Sequence, residues 1–300
     1  MKRMFAKIVW LLALVYSTLM VPANAAEPFN LCGGSSATST YTAMLNDVGR
    51  LCPGAKVILV PDTMTAIEWL KKKQCDAAML QGDIRALYMN ADPTMGDGQM
   101  LVGGMHLEAY HFIAPGQVKS GLFSKKTITT VGDLAGLRVG ASRSGAVSMR
   151  NYMRLTGMQV EVTEYADVAA VLAAVDKGDV QAGLAVIGAG NASMASVSNA
   201  LKFLPIPADH MAKLTANGYV MQKISYAGKT AGPIPTVATR ALLVQRKLNE
   251  GDLKETLRLH AKCISKNVGV IADYAGSNQA WETVFFGATV PGLPSVKIDN

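Results

Sequence analysis

Short apolar runs alternate with stretches of helical spacing through the first hundred residues. Phe29 to Cys32, Lys56 to Val60 and Ala77 to Leu80 read as strands, with Tyr41 to Leu51 and Thr65 to Lys72 as the helices between them. This order predicts an α/β unit with a parallel sheet. Met100 to Ala114 then reads as one long strand. His106, Glu108, Tyr110 and Phe112 fall on one face, and Leu107, Ala109, His111 and Ile113 on the other.

After Pro115-Gly116 the same pattern returns. Arg138 to Ala141, Val160 to Tyr165 and Ala182 to Val186 are strands, and Ala146 to Thr156 and Asp167 to Asp176 are helices. A weak internal echo links the halves: Gln74-Cys75-Asp76-Ala77-Ala78-Met79-Leu80 and Gly178-Asp179-Val180-Gln181-Ala182-Gly183-Leu184 are both polar turns feeding an apolar strand. The segment 208–235 looks irregular, Val237 to Val244 reads as another strand, and Leu253 to Lys266 has helical periodicity. The expected architecture is two α/β lobes, 26–112 with 237–300 and 113–236, joined by strands crossing near residues 112 and 237.

Composition adds a destination. Half of the chain is hydrophobic and only 17% is charged, which excludes a disordered chain. Lys2, Arg3 and Lys7 precede an apolar run from Ile8 to Met20, followed by Ala23-Asn24-Ala25. This is the pattern of a secretory signal peptide, residues 1–25, cleaved after Ala25. Losing those three basic residues takes the formal net charge from +7 to +4. The densest remaining basic run is Lys71-Lys72-Lys73, at the end of a helix, so nucleic acid is not an expected partner. The expected mature protein is a soluble periplasmic monomer.

Export permits disulfides among Cys32, Cys52, Cys75 and Cys263. An eleven-residue helix carries the chain roughly 16 Å, which opposes a Cys32–Cys52 bridge under a Cα limit of about 7 Å. Cys52 and Cys75 both follow helices, and a Cys52–Cys75 bridge is the expectation.

Ligands of open parallel sheets gather beyond the carboxyl ends of the strands, where helix N-termini present free N–H groups. Five such loops stand out: Gly34, Ser35 and Ser36 leading to Tyr41; Asp62 to Thr65; Gln81-Gly82-Asp83; Arg143-Ser144-Gly145-Ala146; and Gly188 to Asn191. Taken singly, such residues are ordinary caps and turns. Their recurrence on one sheet edge points to a site for a small anion, with Arg143 as a bidentate partner for a carboxylate. The candidate binding residues are therefore Gly34, Ser35, Ser36, Tyr41, Thr65, Gln81, Asp83, Arg143, Ser144, Gly145, Ala146 and Gly188.

Catalytic readings find less support. Gly33-Gly34-Ser35 is no nucleophile elbow, because the glycine that should follow the serine is missing. His106 and His111 of His106-x-Glu108-x-x-His111 point to opposite faces of a strand and make no metal pair. His210 and His260 have no partner visible in the sequence. Phosphate-binding lysine and dinucleotide fingerprints are also missing. No catalytic residue, metal or cofactor is expected.

Several segments, in order, resemble the TAXI subfamily of solute-binding proteins of tripartite ATP-independent periplasmic (TRAP) transporters. They are Gly34-Ser35 leading to Tyr41, the run Cys75 to Asp83, Glu108-Ala109-Tyr110-His111, Val131 to Gly140, Ser144-Gly145, Gly178 to Gly183, Leu204-Pro205-Ile206 and Thr236 to Val244. The resemblance implies a two-lobed type II periplasmic binding fold that closes on a small carboxylate or an amino acid such as glutamate. It also implies delivery of that solute to a membrane permease. Ser35, Tyr41, Gln81, Asp83 and Ser144-Gly145 match the family's ligand-side loops, whereas Arg143 stands where relatives have small residues. A receptor for an ABC importer or a sensor kinase, or an exported enzyme on the same fold, are the alternatives.

Overall fold

The computed structural model describes residues 28–35, 39–52, 54–119 and 124–298. The signal-peptide segment and Ser36 lie outside the described residues. Strands β1 (Phe29–Cys32), β2 (Ala55–Ile58) and β3 (Ala77–Gln81) form a parallel group in the order β2-β1-β3. Helices α1 (Thr40–Leu51), α2 (Thr63–Lys71) and α3 (Gly82–Ala91) follow them in turn. All five residues of β3 are buried, as a strand covered on both faces requires.

The long β4 (Gln99–Pro115) leads to a small hairpin of β5 (Gln117–Lys119) and β6 (Lys125–Thr127). The second parallel group follows: β7 (Arg138–Ser142), α4 (Arg143–Thr156), β8 (Glu161–Tyr165), α5 (Val168–Lys177) and β9 (Ala182–Gly188). Then come the single turn α6 (Ala192–Ala195), β10 (Leu201–Phe203), α7 (Ala208–Thr215), β11 (Val220–Ile224), β12 (Ile234–Arg246) and α8 (Asp252–Asp273).

One sheet runs through the molecule in the order β2-β1-β3-β12-β4-β9-β7-β8. The two long strands β12 and β4 are antiparallel neighbours at its centre, with one parallel group on each side. Two register shifts interrupt their pairing, near Arg240 to Leu242 and near Leu243 to Val244. Such irregularities bend a strand and increase its twist.

Local chemistry sets the helix limits. Ser39, Asp62 and Asp167 accept from the backbone N–H groups of Thr42, Thr65 and Ala170, capping α1, α2 and α5. Gly157 and Gly178, both left-handed, end α4 and α5. Phe29, Leu31, Val48, Leu257, Ile264 and Trp281 share one core, and Tyr110, Phe112, Val139, Met149, Tyr152 and Leu184 another.

Three expectations change. The segment expected to be irregular contains α7 and β11, the latter paired antiparallel with β12. Gln81-Gly82-Asp83 is no loop, because α3 starts directly where β3 ends. The disulfides are Cys32–Cys75 and Cys52–Cys263 rather than Cys52–Cys75. Strand β1 is only four residues long, so a cysteine at its end still reaches the turn ahead of β3. Helix α8 packs on α1 and carries Cys263 to Cys52, a contact across 211 residues that local spacing does not reveal.

Candidate functional site

The carboxyl ends of both parallel groups face one cleft of about 640 Å³, within the range of small-molecule sites. Gly34, Ser35 and the cap Ser39 lie between β1 and α1, Thr40 and Tyr41 open α1, and Asp62 and Thr63 come from the entry of α2. Gln81 ends β3, and Glu108 rises from β4. From the second group come Ser142, Arg143 and Ser144 at the start of α4, Asp167 and Val168 at the start of α5, and Gly188 to Ser193 after β9. Asn278 and Gln279 complete the wall from the C-terminal segment.

Gly34 has φ +76°, and a Cβ there would lie 2.0 Å from Thr42 Oγ1, so the chain can turn into α1 only with glycine. Of the residues expected to bind, Gly34, Ser35, Tyr41, Gln81, Arg143, Ser144 and Gly188 line the cleft. Thr65, Asp83, Gly145 and Ala146 are not on its wall. Thr65 gives its amide to the Asp62 cap. Gly145 and Ala146 are buried inside α4.

Asp83 lies behind the wall as the hub of a buried network. Its Oδ2 accepts from Tyr110 OH at 2.7 Å, Ser148 Oγ at 3.0 Å and Tyr219 OH at 3.1 Å. Its Oδ1 accepts from Gln81 Nε2 at 2.8 Å and from the Ile84 amide at 2.9 Å. Gln81 Nε2 also donates to Ser148 Oγ at 2.6 Å. The network joins α3 to β4, α4 and the residue just before β11, so it braces the two parallel groups below the cleft. Asp83→Asn swaps an acceptor oxygen for a donor facing hydroxyl donors, and is expected to cost about 1–3 kcal/mol in urea unfolding.

Two contacts bridge the cleft itself. Asn191 Nδ2 donates to Thr40 Oγ1 at 3.3 Å, and the Arg143 guanidinium lies 4.0 Å from Asp62 Oδ2. Arg143 is more than half exposed, so that pair contributes little to stability and the guanidinium is accessible to a ligand.

The floor is formed by a residue absent from the expected set. Glu108 is buried, and its Oε2 accepts from Tyr41 OH at 2.7 Å. Burial pushes its carboxyl up to about 8, with the Tyr41 hydrogen bond pulling the other way and Asp83 adding to the rise. His106 Nε2 stands 3.9 Å from Glu108 Oε1, and the ring meets Tyr41 edge-on at 5.4 Å. Neither His106 ring nitrogen has a hydrogen-bond partner. Burial, with Arg240 nearby, lowers His106 to about 3, so its ring is neutral. The sequence signal for Glu108 was an acidic residue on the buried stretch of a long apolar strand, and it points into the cleft because strand faces alternate. His111 points the other way and bonds to Tyr226 OH at 2.7 Å.

The arrangement has known structural counterparts. The ligand-binding core of GluR0 in complex with L-glutamate superposes with a TM-score of 0.51 at 13% identity, over 86% of this chain and 98% of that one. The fold is that of type II periplasmic binding proteins. A protein from Archaeoglobus fulgidus also matches, with a TM-score of 0.51 at 14% identity, over 85% of this chain and 80% of that chain. No protein-family model and no curated protein sequence matches the chain. In type II terms, β4 and β12 are the strands that cross between the two lobes, and the cleft lies between the lobes.

Proposed function

We propose that this protein is an exported solute receptor. It binds a small carboxylate or amino acid between a lobe formed by 26–112 with 237–300 and a lobe formed by 113–236. It then delivers the solute to a TRAP permease, and the solute leaves chemically unchanged. The observation that carries this reading is the single cleft where the carboxyl ends of both parallel groups converge, with Arg143 and the first turn of α4 on its wall. The L-glutamate in the GluR0 core agrees with a ligand of this size and chemistry. The resemblance to TAXI receptors supports the permease as recipient, and the two disulfides suit an oxidising compartment.

Binding would draw the lobes together and bias the population toward the closed form that docks on the permease. Titration calorimetry over a panel of amino acids and carboxylates is expected to find saturable binding. Small-angle scattering is expected to show a smaller radius of gyration with the bound solute. A flat response across the whole panel would overturn the receptor reading.

A further inference from the structure

The charged residues of the cleft wall and its uncharged amides arrive on different loops. Among the described residues the charged ones are Asp62, Arg143 and Asp167, with Glu108 at the floor. Burial raises the Glu108 carboxyl to about 8, so at pH 7 it is mostly protonated and adds little charge. Asp62 and Asp167 cap α2 and α5, and Arg143, which opens α4, stands beside Asp62. The charge of the wall therefore lies at the starts of α2, α4 and α5.

A second group of wall residues carries only amides and hydroxyls. Asn191, in the turn after β9, donates to Thr40 Oγ1 at the start of α1. Gln279 lies over the same turn: a Cβ on Gly190, which has φ +79°, would stand 2.8 Å from Gln279 Oε1. Gln279 opens a short turn, Gln279–Thr283, that the rest of the chain holds fast. Asp47 Oδ2 accepts from the Asn278 amide at 3.0 Å and from Trp281 Nε1 at 2.9 Å. Leu107 donates its amide to Thr283 Oγ1 at 2.9 Å, and Arg240 Nη1 donates to Thr283 O at 3.0 Å. The Gln279 side chain itself makes no hydrogen bond among the described residues, which leaves a donor and an acceptor on a rigid support at the cleft.

No lysine or arginine of the described wall accompanies these amides. Arg240 lies behind them, with Nη1 given to the carbonyls of Met105 and Thr283. A carboxylate seated here would exchange water for amides without meeting an opposite charge. Desolvating an unpaired charge costs far more than desolvating a neutral group that keeps its hydrogen bonds. A ligand amide or hydroxyl gives up less water, and it both donates to and accepts from a glutamine side chain.

We infer that the solute places its anionic group at Arg143 and an uncharged hydrogen-bonding end, an amide or a hydroxyl chain, at Gln279 and Asn191. Gln279 is then a specificity residue that selects against a second carboxylate. This rests on the receptor reading above and narrows its solute from carboxylates in general to those whose far end is neutral and polar.

The test is calorimetry at pH 7 with pairs that differ in the far group: L-glutamine and L-glutamate, glutaramate and glutarate, gluconate and glucarate. Pentanoate and L-leucine serve as apolar-ended references. In at least one pair the neutral-ended member is expected to bind at least about tenfold more tightly. Gln279→Lys should move that ratio toward the dicarboxylate by about fivefold, the effect of one added charge about 4 Å away in water. Gln279→Glu should widen it. Gln279 is exposed, so neither variant disturbs the core. A dicarboxylate that binds as well as its neutral-ended partner overturns the inference and leaves the receptor reading intact. So does a ratio unchanged in both variants, and so does binding confined to pentanoate or L-leucine. Silence across the whole set overturns both.

Discussion

Replacing Glu108 by Gln is expected to stabilise the protein at neutral pH. The Glu108 carboxyl is raised from its ordinary 4.5 to about 8 in the folded protein, chiefly by burial. The folded state therefore holds a proton that the unfolded chain releases near its ordinary pKa. A group raised in this way contributes its full stability below pH 4.5. That contribution is lost progressively as pH rises to about 8, beyond which the loss is constant. At pH 7 the loss is about 3 kcal/mol, taking 1.36 kcal/mol for each pH unit above the unfolded value.

Gln keeps an oxygen to accept from Tyr41 OH and does not titrate. Urea unfolding of Glu108→Gln should thus match the parent near pH 4 and exceed it by about 3 kcal/mol at pH 7. A variant equally or less stable at pH 7 would mean that Glu108 is ionised and already satisfied in the folded protein.

Breaking the Cys52–Cys263 disulfide is expected to be the more damaging of the two possible disulfide losses. The bridge closes a loop of 211 residues, against 43 for Cys32–Cys75. Loop-closure entropy alone gives about 5 kcal/mol for the longer loop and about 1.4 kcal/mol less for the shorter. The long bridge also fastens α8 to the end of α1, where Val48, Leu257, Ala261 and Ile264 share a core.

Cys52→Ala with Cys263→Ala should therefore lower the denaturation midpoint further than Cys32→Ala with Cys75→Ala. Freed of its covalent tie, α8 should show faster amide exchange. Non-reducing peptide mapping of the parent protein should recover Cys52 with Cys263 and Cys32 with Cys75. Recovery of a Cys52–Cys75 peptide would contradict the packing of α8 on α1.

Much of the fold is legible residue by residue. The apolar runs at Phe29, Lys56 and Ala77, and the helical spacing from Tyr41 and from Thr65, each correspond to an element. Asp62 and Asp167 act as caps, and Met100 to Ala114 forms a strand with alternating faces. Strand β11 escaped because Val220 and Met221 are exposed, so a strand at the sheet's margin shows no buried alternation.

The cleft was legible as loops at strand ends, and Arg143 and Ser144 stand on its wall. Asp83 was chosen as a ligand contact because it follows β3 in a polar turn. Its position in α3 gives it instead to Tyr110, Tyr219 and Ser148. Asn278 and Gln279 carried no signal, because they reach the cleft only through the path of the chain after α8.

Local sequence signals were enough for most of the elements, their order and the doubly used α/β unit. Periodicity, caps and turn residues act over a few positions, and no distant partner is needed to read them. Which cysteines pair, which polar residues brace the two parallel groups and which face the cleft were settled by the packing of the fold. Those outcomes depend on packing between segments far apart in the chain. It also decided that Glu108 and His106 lie desolvated side by side beneath the cleft. Burial sets their protonation, and the burial of a side chain belongs to the whole fold rather than to its neighbours in sequence.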